Sequence, residues 1–178
     1  MKYNPDIHHR KSIRIKDYDY SKEGMYYITI CTKDRECILS EIVNVKNNSM
    51  NVGAHTCAQI RLTAIGTIVK DCLYKIAEMY EYVKLHDYVI MPNHIHMIME
   101  IENSLNVQMT RAQVCAPTKV IGQIIRGLKA GISKNVGYPI WQRNYYEHVI
   151  RNEKELYKII EYIKYNPMNW KNDNNYIN

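Results

Sequence analysis

The chain has 178 residues, 46% of them hydrophobic, which suits one well-packed domain and is too short for two large ones. Lysine and arginine outnumber acidic residues 24 to 18, a formal charge of +6 that favours a polyanionic partner. No run approaches the ~20 apolar residues of a membrane helix, and Met1-Lys2-Tyr3-Asn4-Pro5 lacks a signal-peptide core, so a cytoplasmic protein is expected. Five cysteines, odd in number and never spaced C-x-x-C, indicate neither a disulfide framework nor a zinc knuckle.

Residues 1–24 form a basic arm, with Arg10, Lys11 and Arg14 placed either to lie on a phosphate backbone or to act as a solvated leader. Met25 to Thr32 is rich in β-branched and aromatic residues and reads as a strand, and Cys37 to Ser40 begins a short second one. Asn44 to Ala58 is polar and reads as a loop. From Leu62 to Tyr80 apolar residues recur at helical spacing. Tyr82 to Met91 and His94 to Glu102 read as two strands joined by a Pro92-Asn93 turn, an antiparallel hairpin with two histidines at its bend.

Alternation along that second strand puts His94, His96, Ile98 and Glu100 on one face and Ile95, Met97, Met99 and Ile101 on the other. Two imidazoles on one face can reach a single metal ion; the same pattern also describes half-buried histidines bonded to neighbours. A second polar connection, Asn103 to Pro117, leads into a helix from Lys119 to Asn135 with Arg126 opposite its apolar face and Lys129 on the flank. A weak echo relates the two helices, each carrying an early glycine (Gly66, Gly122) where it can lie close to a sheet. The order strand, helix, strand, strand, helix, strand is that of an α+β ferredoxin-like sandwich: an antiparallel sheet with two helices on one face, leaving the histidines on the other.

The C-terminal third offers the cover for that open face. Pro139 to Ile150 reads as a loop running into a strand, and Asn152 caps a helix from Glu153 to about Tyr165, ended by Pro167. Tyr162 and Asn166, at i and i+4, share one flank of its apolar stripe and would present a phenol and an amide to one place, while Tyr165 points nearly away. Residues 25–170 then make one domain and 171–178 a polar tail.

Three separated motifs, Met91-Pro92-Asn93-His94-Ile95-His96, Trp141-Gln142-Arg143-Asn144-Tyr145-Tyr146-Glu147-His148 and Glu161-Tyr162-Ile163-Lys164-Tyr165-Asn166-Pro167, stand in the order seen in a known family. From about Arg10 to Trp170 the chain resembles the single-tyrosine HUH transposases, in particular the REP-associated tyrosine transposases. The resemblance implies His94 and His96 as metal ligands, Tyr162 as nucleophile and Asn166 as a third ligand for Mg²⁺ or Mn²⁺. It also implies attack on single-stranded DNA near hairpins, leaving a covalent 5′-phosphotyrosine and a free 3′-hydroxyl. Two imidazoles and an amide make a neutral ligand set, with Glu100 on the same strand face as an outer carboxylate.

Arg143 matches the middle motif and is placed to contact a phosphate; Tyr145 and Tyr146 can stack on bases or fill the core. Arg126 and Lys129, with the basic arm, are candidates for gripping a hairpin stem through its backbone. Two other readings compete: a domesticated module that binds DNA hairpins without cutting, and a metal-dependent phosphodiester hydrolase in which the histidines activate water. The family includes monomers and homodimers, and the link from His148 to Tyr162 does not choose between them.

Overall fold

In a computed structural model of the chain, residues 23–45, 57–102 and 120–177 are described. Four strands form one antiparallel sheet: β1 (Gly24–Cys31), β4 (Val83–Ile90), β5 (His94–Ile101) and β6 (Tyr146–Ile150), in the order β4-β5-β1-β6. Helices α1 (Ala64–Met79) and α2 (Val120–Val136) supply the two crossovers, and α3 (Glu153–Tyr165) follows the last strand. This is the ferredoxin-like α+β sandwich expected from the element order.

Side-chain alternation decides the layers. Tyr26, Ile28 and Ile30 of β1 and Ile95, Met97 and Met99 of β5 form one buried cluster with Val69 and Leu73 of α1 and Ile121, Ile124 and Ile125 of α2. On the opposite face Ile98 and Ile150 pack with Ile163 of α3, so α3 lies on the histidine side. Local chemistry sets the helix starts: the Thr63 hydroxyl accepts from the Gly66 N–H at 3.0 Å, and Asn152 Oδ1 accepts from the Glu155 N–H at 2.9 Å. Gly66 sits against the chain before α1; a Cβ there would stand 1.9 Å from the Leu39 carbonyl oxygen. The close approach expected of that glycine is therefore to a backbone carbonyl.

One element differs from the sequence reading. The stretch read as a polar loop from Asn44 to Ala58 begins and ends in strand, because β2 (Ser40–Val45) and β3 (Cys57–Leu62) pair as a separate antiparallel ribbon with Ile42 opposite Ile60. Both isoleucines pack beside α3 on the histidine face. The second strand starts at Ser40 rather than Cys37, and α1 starts after Thr63 rather than at Leu62. The middle of that stretch, the connection before α2, and the arm with Arg10, Lys11 and Arg14 lie outside the described residues. Among the described residues no helix is long and apolar enough to cross a membrane.

Candidate active site

The β4–β5 hairpin turns through Pro92 and Asn93, closed by the Met91 N–H donating to the His94 carbonyl at 2.8 Å. It delivers His94 and His96 to the open face, where both are buried. Neighbouring strands fix the rings. Asn93 donates its amide N–H to the Asn175 carbonyl at 2.7 Å, which turns Asn93 Oδ1 toward His94 Nδ1 at 2.8 Å. His94 Nδ1 must then donate, leaving the Nε2 lone pair free. His96 Nδ1 lies 2.7 Å from the Tyr27 hydroxyl and 2.8 Å from the Thr29 hydroxyl, both on β1, so its Nε2 also faces the site. The two Nε2 atoms stand 2.9 Å apart.

Burial keeps both rings neutral: it pushes His94 down to about 4, and with the neighbouring His94 it pushes His96 to about 3. Neutral imidazoles whose Nε2 atoms converge are a donor pair that suits a divalent cation once neither Nε2 carries a proton.

From α3, Tyr162 brings its hydroxyl within 3.4 Å of His96 Nε2 and remains 45% exposed. One turn later Asn166 is buried, with its Oδ1 lacking a hydrogen-bond partner among the described residues. The expected juxtaposition of Tyr162 and Asn166 with the histidine pair is present. What the sequence reading missed is the group that joins them. The chain after α3 turns back through Trp170, whose ring lies 5.9 Å from that of His94, and delivers Asp173. Asp173 Oδ2 accepts from the Tyr162 hydroxyl at 2.9 Å and from the Asn166 amide at 2.7 Å. Ligand atoms of His94, His96 and Asp173 all lie within 4.8 Å of one another.

Beside the expected neutral set of His94, His96 and Asn166 there stands a carboxylate, drawn from the segment read as a polar tail. Two neutral imidazoles, a carboxylate and an unpartnered amide oxygen fit a divalent cation with room for a substrate oxygen. Glu100, expected as the outer carboxylate, bonds His86 at 2.7 Å at the other end of β5.

Electrostatics set the resting state of the phenol. Burial, and then the hydrogen bond to Asp173 and its negative charge, push Tyr162 up to about 12, against a smaller opposing influence of Asn166. Burial also works against the Asp173 carboxylate, yet the N–H donors of Asn166 and Asn175, with His94 and Tyr162, hold it below the ordinary range. Tyr162 thus rests as a neutral phenol that donates to an ionised carboxylate.

The remaining candidates divide. Tyr146 is 50% exposed, its ring edge-on to that of Tyr27 at 6.3 Å. Tyr145 packs against the helix-side core and donates to Glu147 at 2.9 Å, the core alternative for that residue. Arg126 and Arg143 are exposed. Lys129 does not project as a phosphate-gripping side chain: its ammonium donates to the carbonyls of Gln142, Arg143 and Asn144 at 2.5, 3.2 and 3.2 Å. His148 pairs with Glu155 of α3 at 2.7 Å, away from the ligand cluster.

The chain has relatives. An "Uncharacterized protein" of Haemophilus influenzae is 40% identical over 189 residues, spanning 99% of this chain and 98% of that one. A second protein of the same organism, named "Putative REP-associated tyrosine transposase", is 26% identical over 152 residues, covering 84% of this chain and 73% of its own. In sequence and in fold the chain is similar to REP-associated tyrosine transposases. The solved structure of a REP-associated tyrosine transposase bound to a REP hairpin superposes with a TM-score of 0.60, covering 88% of this chain and 73% of that one. At 19% identity this is a likeness of fold. No protein-family model matches the chain. This similarity supports a transposase-like role in DNA processing.

Proposed function

We propose that the chain is a metal-dependent single-stranded DNA endonuclease and strand transferase, cleaving beside DNA hairpins through a covalent 5′-phosphotyrosine on Tyr162. The observation that carries this reading is a half-exposed phenol held 3.4 Å from one of two converging imidazoles and 2.9 Å from a carboxylate. A Mg²⁺ or Mn²⁺ ion held by His94, His96 and Asp173, with Asn166 at the site, would polarise the scissile phosphate and offset charge on the transition state.

The residues of the chain do the rest. Tyr27, Thr29 and Asn93 fix the imidazole orientation, and α3 fixes the line of approach of the phenol. The Tyr162 oxygen forms a bond to phosphorus as the bond from phosphorus to the 3′-oxygen breaks. Asp173 Oδ2, already the acceptor of the phenolic hydrogen bond, takes the proton, and the departing 3′-oxygen takes one up to leave as a hydroxyl. The phosphotyrosine conserves the ester linkage, so attack by a 3′-hydroxyl rejoins a strand without ATP. A formal charge of +6 suits the polyanion, Arg126 and Arg143 are exposed to its backbone, and the hairpin bound to the related transposase supports a hairpin substrate.

The test is a denaturing gel of the protein with a labelled single-stranded hairpin oligonucleotide and Mn²⁺ or Mg²⁺, beside Tyr162→Phe and His96→Ala. A metal-dependent protein-linked band lost in both variants is expected. Binding without any cut would make the chain a hairpin-binding module, and cleaved product without an adduct would make it a hydrolase.

A further inference from the structure

Beside the cluster of ligands the open face holds a cavity of about 480 Å³ that the reaction above leaves unused. It shares Tyr162 and His96 with the reacting centre, runs over Tyr27 and Thr29 of β1, and ends at the loop carrying Gln142 and Asn144 and at Tyr146. We propose that this cavity is a subsite for one unpaired nucleobase flanking the scissile phosphate, with Tyr146 as stacking face and Gln142 and Asn144 as readers of the base edge. The proposal deepens the function proposed above and rests on it.

Charge chooses the occupant. The eleven residues lining the cavity are tyrosines, amides, a threonine, a cysteine and a histidine, and none is a lysine, arginine, aspartate or glutamate. Away from the reacting centre such a wall brings no cationic side chain to a phosphate and suits a flat, neutral, hydrogen-bonding ring. Arg143, between the two amides in sequence, is exposed and is not part of the lining, so backbone and base contacts can separate along one loop. Tyr146 is half exposed and its ring lies at 70° to that of Tyr27 rather than stacked on it, so its exposed side is available to a base.

The reading groups are held from behind. The Gln142 N–H donates to the Cys31 carbonyl at 3.0 Å, and Thr32 and Trp141 form a bridge beside it. Lys129 reaches from α2 and ties the carbonyls of residues 142, 143 and 144 with one ammonium. The backbone is thereby fixed, while the side-chain amides of Gln142 and Asn144 make no hydrogen bond among the described residues. A fixed backbone with uncommitted amides is what edge recognition asks for, since a carboxamide presents a donor and an acceptor side by side to a base. Lys129 is a positioning residue in this arrangement.

The test uses hairpin oligonucleotides in which each single-stranded flanking nucleotide is replaced in turn by the other bases or by an abasic unit. Binding is read by fluorescence anisotropy with Tyr162→Phe, and adduct formation with the wild-type chain. One flank position is expected at which the abasic unit weakens binding by roughly tenfold to a hundredfold. At that position, and no other, Gln142→Ala or Asn144→Ala should level the preference among bases, and Tyr146→Ala should remove the advantage of a base over the abasic unit. Lys129→Met should blur the same preference, with thermal melting showing that the chain still folds. Adducts that form with unchanged base preference in all of these variants would overturn the subsite and leave the function standing. Absence of any adduct with the wild-type chain would overturn both.

Discussion

The two faces of the four-stranded sheet use the same strands for opposite ends. On the helix side of β5, Ile95, Met97, Met99 and Ile101 are sealed under α1 and α2. On the other side His94 and His96 are equally buried, but against hydroxyls, amides and a carboxylate, with a half-exposed phenol above them. Alternation every second residue lets one strand be both core and site. The helix face stabilises through area removed from water and has little chemistry to lose. The site face confines polar groups whose hydrogen bonds must all be made by neighbours, and it is where unpartnered atoms remain.

Substituting adjacent residues of β5 separates these roles. Met97→Ala, on the sealed face, is expected to cost about 2–5 kcal/mol of unfolding free energy in chemical denaturation. Mn²⁺ affinity, read by calorimetry on the fraction still folded, should be preserved. His96→Ala is expected to abolish detectable Mn²⁺ binding. An equal loss of metal binding in Met97→Ala would mean that the faces are not independent.

Acid should act on the site face alone. His94 and His96 titrate near 6.5 in an unfolded chain but at about 4 and about 3 in the folded one, because burial disfavours their charged forms. Below pH ~6.5 the unfolded state therefore binds more protons, so stability falls as pH drops from there toward 4. For His94 alone the loss amounts to about 3 kcal/mol. Denaturation midpoints measured from pH 7 to 4 should fall for the wild-type chain and fall less for His94→Gln. Identical slopes would refute the assignment.

The helix side offers a sharper steric probe. Gly66→Ala places a methyl where the Leu39 carbonyl already stands, and backbone must shift to admit it. A loss of about 1–3 kcal/mol is expected by denaturant titration, without change in Mn²⁺ binding. Wild-type stability in this variant would show that the α1 start is looser than the structure has it.

Much of this division is legible in the residues themselves. Period-two alternation in His94 to Ile101 announces both faces, and period-3.6 spacing gives the three helices, because burial imposes those periods on sequence. The β2–β3 ribbon escapes notice because its strands are only six residues each, carry polar residues without a shared alternation, and are separated by a stretch with no pattern. Lys129 reads as one more solvated charge, since its three carbonyl partners lie thirteen to fifteen residues away in an irregular loop. Asp173 is harder still. It sits in Lys171-Asn172-Asp173-Asn174-Asn175, a composition that signals a polar end, and only the fold-back that stacks Trp170 near His94 brings it to the site.

That carboxylate supplies the smallest and most diagnostic comparison, because it touches the phenol and the ligand cluster at once. Asp173→Asn removes a negative charge beside Tyr162 and the acceptor that favours its neutral form. The phenol should fall from about 12, yet stay above the ordinary tyrosine value, because burial is the larger cause and persists. The shift is read as the difference in phenolate absorbance between Asp173→Asn and its Tyr162→Phe double variant, which isolates one tyrosine among 16. Mn²⁺ affinity should drop by at least about tenfold in the same protein. A phenol that ionises more readily while adduct formation slows would mean that Asp173 matters as ligand and proton acceptor. If adduct formation instead accelerates, the hydrogen bond from Tyr162 to Asp173 serves chiefly to restrain the nucleophile, and the proton must leave by another route.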